Sequence, residues 1–151
     1  MRSRRLKVAA AAGTVLALGA FSAASSADIG LIKLSRTSGR PGAVVSVTYA
    51  GYTHPWPRYP VYLVPASRAP GLVPCQPGAL CEPRVKRAPS HAPYTLLGRI
   101  RYRPSGTGTL RFQVPKLRPG RYRFVLYCAP CYRGPGGSLI VARAIVFRIT
   151  G

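Results

Sequence analysis

The sequence predicts an all-β protein, a seven-stranded antiparallel sandwich behind an N-terminal export signal. Two observations carry this. Short runs of alternating apolar and polar residues recur between Gly/Pro turn clusters, and no stretch after the export signal has a convincing helical period. The chain also ends in a hairpin-like unit, Leu117 to Ile149, where Tyr122, Phe124 and Leu126 point to one face and Arg121 and Arg123 to the other.

The signal comes first. Arg2, Arg4, Arg5 and Lys7 precede an apolar run from Val8 to Phe21, and Ser25-Ser26-Ala27 supplies the small residues a signal peptidase reads. Residues 1–27 thus read as a secretory signal peptide and 28–151 as one domain able to bury its own core. The apolar run is shorter than the ~20 residues of a membrane span. No second run follows, so no transmembrane segment is expected after cleavage. Ser3-Arg4-Arg5 keeps twin-arginine export open beside general secretion, and retention as an uncleaved anchor is a further alternative.

Charge is the dominant feature of composition. Lys and Arg total 23 against two acids, Asp28 and Glu82, a formal net charge of +21. A GC-rich genome, as in actinobacteria, accounts for Arg over Lys but not for the near absence of Asp and Glu. A field of one sign attracts polyanions, so an anionic polymer such as a wall teichoic acid is the expected partner.

The strands follow in order. Leu31 to Leu34 is short. Ala43 to Ala50 alternates Val45, Val47 and Tyr49 with Ser46 and Thr48 after the turn cluster 37–42. Val61 to Val64 is apolar throughout. Pro65 to Pro93 is irregular and proline-rich, and a loop of that length needs a staple or a role. Tyr94 to Arg103 and Thr109 to Val114 read as adjacent strands joined by a turn at 104–108. The final two strands complete seven.

Seven strands with turns between them are the pattern of an immunoglobulin-like sandwich. Leu117-Arg-Pro-Gly-Arg-Tyr122 resembles the turn-plus-tyrosine lead-in to the sixth strand of immunoglobulin-like and fibronectin-type modules. That resemblance implies that the Tyr122 hydroxyl bonds back to the preceding turn. Cys128 lies six residues after Tyr122, not two, so the inter-sheet disulfide of antibody domains is not implied. In layout the chain also resembles the neocarzinostatin family of secreted actinobacterial apoproteins, through its signal peptide, sandwich and two closely spaced cysteine pairs. That resemblance implies carriage of a small apolar ligand in a cleft beside the cysteine loops.

Four cysteines allow three pairings, and disulfides persist outside the cytoplasm. In the predicted strand order the long loop and the last hairpin loop lie at opposite ends. Bridges are therefore expected to be local, Cys75–Cys81 and Cys128–Cys131. A redox role for Cys128-Ala-Pro-Cys131 would call for a helix N-terminus, and the motif follows a strand instead. The Cys75/Cys81 spacing is too wide for a tight zinc knuckle.

Catalysis has few parts available. Asp28 and Glu82 are the only carboxylates for a glycosidase pair, a triad or a hard-cation site. No Gly-rich loop opens a helix to cradle a nucleotide. No catalytic residue, cofactor or metal is expected. Two binding surfaces are. One is the aromatic loop Tyr52, His54, Trp56 and Tyr59, with Trp56 as a core lid the competing reading. The other is a row of arginines. If Arg103 pairs with Thr109 across the turn, Arg101 faces Arg111 and Arg99 faces Gln113. Arg99, Arg101, Arg103 and Arg111 would then form one flat anion-binding face. Tyr102 and Phe112 point inward, so no bases would stack there and sequence-specific nucleic-acid reading is not expected.

Overall fold

The computed structural model describes residues 30–51, 58–103, 105–129, 131 and 135–151. The predicted signal peptide lies outside them. The described chain is all-β, with strands β1 (Gly30–Leu34), β2 (Ser38–Gly39), β3 (Val44–Ala50), β4 (Tyr59–Pro65), β5 (Val73–Gln76), β6 (Ala79–Cys81), β7 (Arg84–Val85), β8 (Thr95–Ile100), β9 (Thr107–Gln113), β10 (Gly120–Cys128), β11 (Gly137–Val141) and β12 (Phe147–Ile149). One 3-10 turn, Ala66–Arg68, interrupts them. No helix among the described residues is long and apolar enough to cross a membrane.

The strands form two main sheets and a small hairpin. The first sheet has the order β1-β3-β9. In the second, β10 is central. It pairs on one side with β4, which in turn pairs with β8. On the other side it pairs with β12 near its start and β11 near its end. These pairings are antiparallel. β2 adds to β12 in parallel, and β5 pairs with β6 alone.

Alternation decides what each strand buries. On β3, Val45, Val47 and Tyr49 are at most 1% exposed and face Phe124, Leu126 and Phe147 of the other sheet across the core. Fully burying each of the two valines is worth about 1.5–3 kcal/mol. β4 is buried on both faces. Tyr59, Val61 and Leu63 join the inner core, while Tyr62 and Val64 join Val125, Leu139 and Val141 in a second cluster outside the sheet. The long segment between β4 and β8 covers that second face. Ala69, Val85 and Tyr94 pack on it, Tyr94 edge-to-face with Tyr62 at 5.9 Å.

That cover alters the expected disulfide argument. Both local bridges form, with Cα separations of 5.8 Å for Cys75–Cys81 and 5.4 Å for Cys128–Cys131. The long segment, however, does not stay at the opposite end from the last hairpin loop. It crosses the sheet, pairs Val85 with Gly137 and Arg84 with Ser138, and receives the Leu139 N–H on the Pro83 carbonyl at 2.9 Å. Locality comes from the hairpins themselves: Cys75–Cys81 bridges β5 to β6, and Cys128–Cys131 closes a four-residue span.

The sequence predicts β8 and β9 to be adjacent strands joined by a turn. They do not form a hairpin. β8 pairs with β4, and β9 crosses to the other sheet to pair with β3 over seven residues. Polarity matching explains the choice. β9 sets Thr109 beside Thr48, their hydroxyls 2.9 Å apart, and Arg111 beside Ser46. A β8–β9 hairpin would set arginine against arginine. The crossing is tight: a β-carbon at Gly108 would collide with Ile100 Cγ2. Gly98, with φ +152°, takes a backbone angle that other residues rarely adopt, beside the bulge where β8 shifts register against β4. The predicted last strand also breaks in two, β11 and β12, around residues 142–146.

Candidate functional site

The split of β8 from β9 disperses the predicted arginine row. Arg99 lies opposite Pro60 on β8, near Tyr62 on the outer side of the second sheet. Arg111 lies opposite Ser46 on the outer side of the first. Arg101 and Arg103 follow β8, exposed, where Arg103 N–H donates to Thr107 O at 2.8 Å in the turn between sheets. All four are exposed, but Arg101 does not face Arg111 and the four share no flat face.

An opposed arginine pair exists elsewhere. β10 and β12 pair Gly120 with Ile149, Arg121 with Arg148 and Tyr122 with Phe147. Tyr122, Phe147 and Ile149 turn inward, at 6%, 0% and 1% exposure. Arg121 and Arg148 therefore project outward together. Like charges directly opposite across an antiparallel pair cost up to about 1 kcal/mol. β2 closes the third side, with Ser38 beside Arg148 and the Arg148 N–H on Thr37 O at 2.9 Å. Thr37, Ser38, Arg121, Val146 and Arg148 line an open hollow of ≈ 410 Å³. The sequence places Arg121 outward correctly. Arg148 was missed because it gains meaning only from the register of β12 on β10.

Other cations are engaged internally. Arg123 Nη1 donates to the carbonyls of Ala142, at 3.4 Å, and Arg143. Arg143 donates to Pro70 O at 3.1 Å and forms an ion pair with Glu82 at 2.7 Å. Together they pin the 142–146 interruption to β10 and to the long segment. Burial pushes the Glu82 carboxyl above its usual range, and the charge and hydrogen bond of Arg143 pull it back only part of the way.

Of the predicted aromatic loop, Tyr52, His54 and Trp56 lie outside the described residues. Tyr59 is not a loop residue. It opens β4, is 2% exposed and sits edge-to-face with Tyr102 at 5.2 Å, because its ring continues the inward alternation of Val61 and Leu63. The hydroxyls of Tyr49, Tyr59 and Tyr102 are buried without a hydrogen-bond partner among the described residues. Burial raises the pKa of all three.

A second hollow, ≈ 620 Å³, opens where β4 ends and β8 begins. Pro65, Pro93, Tyr94, Leu96 and Leu117 give it an apolar lining, with Arg68 and Arg118 beside them. Its wall includes Tyr122, whose hydroxyl donates to Arg118 O at 2.7 Å. Among the described residues no three His, Cys, Asp or Glu side chains gather where they could hold a metal ion. A comparison of the chain with protein-family models, with curated proteins and with solved structures found no match.

Proposed function

We propose that this chain is an exported, non-enzymatic binding module with an immunoglobulin-like sandwich fold, contacting anionic polymers of the cell surface, such as teichoic acids, through its arginines. The fold reading is supported by the strand connections. β1 pairs with β3 while β2 crosses to pair in parallel with β12, and Tyr122 bonds back to the turn before its strand. Export is supported by the predicted signal and by two disulfides in a small domain.

One observation carries the binding reading. Glu82 is the one acidic side chain on the described surface, and Arg143 already holds it. Asp28 is the one further acidic side chain in the sequence, and two carboxylates cannot neutralise 23 basic residues, so most of their counterions come from solution or from a partner. Binding a polyanion releases its condensed counterions, which makes affinity steeply salt-dependent; that rule, established for nucleic acid, carries over to other linear polyanions. Immobilised teichoic acid should therefore retain the protein at about 0.15 M salt, a physiological ionic strength, and release it as salt rises. Passage through such a column unretained at that salt would overturn the reading.

The ≈ 620 Å³ hollow supports a second reading, a carrier of a small apolar ligand, since ligand pockets commonly span about 300–1,000 Å³ with mostly apolar walls. A ligand retained in native mass spectrometry of the purified protein would favour it.

A further inference from the structure

We propose that Arg121 and Arg148, with the hydroxyls of Thr37 and Ser38, form a discrete site for a tetrahedral oxyanion, the phosphate or sulfate ester of a polymer. The proposal rests on the polyanion reading above and gives it a location and a ligand chemistry.

Placement comes first. The two guanidinium-bearing residues occupy directly opposed positions on β10 and β12, with buried neighbours on both strands fixing which way they face. Opposed residues in such a pair have Cβ atoms about 4.5–5.5 Å apart, within reach of one shared anion. A strand scaffold also holds them more firmly than a loop would.

The surroundings select the ligand. The two arginines supply only donors, and the two hydroxyls can donate as well. Among the described residues no carboxylate side chain lines the hollow, and Glu82 is held by Arg143 elsewhere. An acetate-like carboxylate is planar and is satisfied by one guanidinium fork. The donor-bearing residues line the hollow from β10, from β12 and from the start of β2, a spread over three chain segments that suits oxygens arranged around a tetrahedral phosphorus or sulfur. The hollow is open rather than enclosed, so an ester can lie in it while its chain continues on both sides.

The dispersed arginines provide an internal control. Arg99 and Arg111 carry the same charge but lie on different sheets, opposite Pro60 and Ser46. Removing them takes away two charges without touching the opposed pair.

The test compares the wild type with Arg121→Gln/Arg148→Gln and with Arg99→Gln/Arg111→Gln. Three probes are titrated: a glycerol-phosphate oligomer, a heparin oligosaccharide and polyglutamate of matched charge. The wild type should bind a phosphate or sulfate probe more tightly than polyglutamate, and the tighter of the two identifies the ester. The Arg121/Arg148 variant should lose about tenfold in affinity for that probe, the worth of 1.4 kcal/mol, and the control variant clearly less. Arg121→Lys/Arg148→Lys keeps the charge but loses the forks, and should also fall below wild type. Equal losses in the two Gln variants would overturn the site while leaving a diffuse polyanion binder. Polyglutamate binding as tightly as the esters would overturn the tetrahedral chemistry. Failure of the wild type to bind any of the three would overturn the polyanion reading itself.

Discussion

Arg148→Gln isolates the repulsion between β10 and β12. With Arg121 directly opposite and no acidic side chain among the described residues lining that hollow, removing one charge should stabilise the unliganded domain by up to about 1 kcal/mol. That is a few degrees in melting temperature for a domain of this size. Arg101→Gln should change stability by less than about 0.5 kcal/mol, because Arg101 is exposed and has no arginine across from it. Thermal melts in low salt without polyanion would check both. A fall in melting temperature for Arg148→Gln would mean its side chain contributes contacts that outweigh the repulsion. The physical rule behind this pair was legible in the sequence, since alternation alone shows which arginines leave the core. The partner was not, because opposition depends on strand register, and consecutive strands joined by a short turn are the natural but here incorrect pairing.

At the level of strands, β4 and the segment that follows it form one unit. Val61 to Val64 reads as an apolar run, and the structure extends it to a strand, Tyr59–Pro65, buried on both faces. The sequence therefore shows that something must cover the outer face of β4. It does not show what, because residues 66–94 carry neither helical nor strand periodicity and their prolines hide a cover made of short strands and turns. Leu139 tests the arrangement. It is 2% exposed, belongs to the outer cluster and receives the segment through its N–H bond to Pro83. Leu139→Ala should cost about 2–5 kcal/mol. The loss should appear first as faster amide exchange in β7 and β11, before β3 and β9, which share none of that cluster. Uniform acceleration in both sheets would show that the outer cluster and inner core unfold as one unit.

Across the whole molecule, the scarcity of carboxylates and the number of buried tyrosines set opposite responses to acid and alkali. Most acid unfolding comes from carboxylates that are better stabilised as anions in the folded state. This chain has two acidic side chains, and Glu82 behaves in the other sense. Its folded pKa is raised by burial, only partly offset by Arg143, so the folded state holds the Glu82 proton more tightly than the unfolded chain. Between the folded pKa and the ordinary glutamate value, stability from this group rises as pH falls. Acidification also adds little charge, since few carboxylates remain to be protonated. At the alkaline end, Tyr49, Tyr59, Tyr62, Tyr94 and Tyr102 all have raised pKa values, with burial the leading cause in each. Above pH about 10 the unfolded chain ionises these phenols while the folded protein keeps them neutral, so stability falls. For Tyr49, 1% exposed, the slope approaches about 1.4 kcal/mol per pH unit. Arginine stays charged throughout this range and cannot offset the loss. Circular dichroism melts should therefore show a melting temperature at pH 3 close to that at pH 7, and a marked drop by pH 11. A larger drop at pH 3 than at pH 11 would mean that cation–cation repulsion, rather than phenol ionisation, limits this fold.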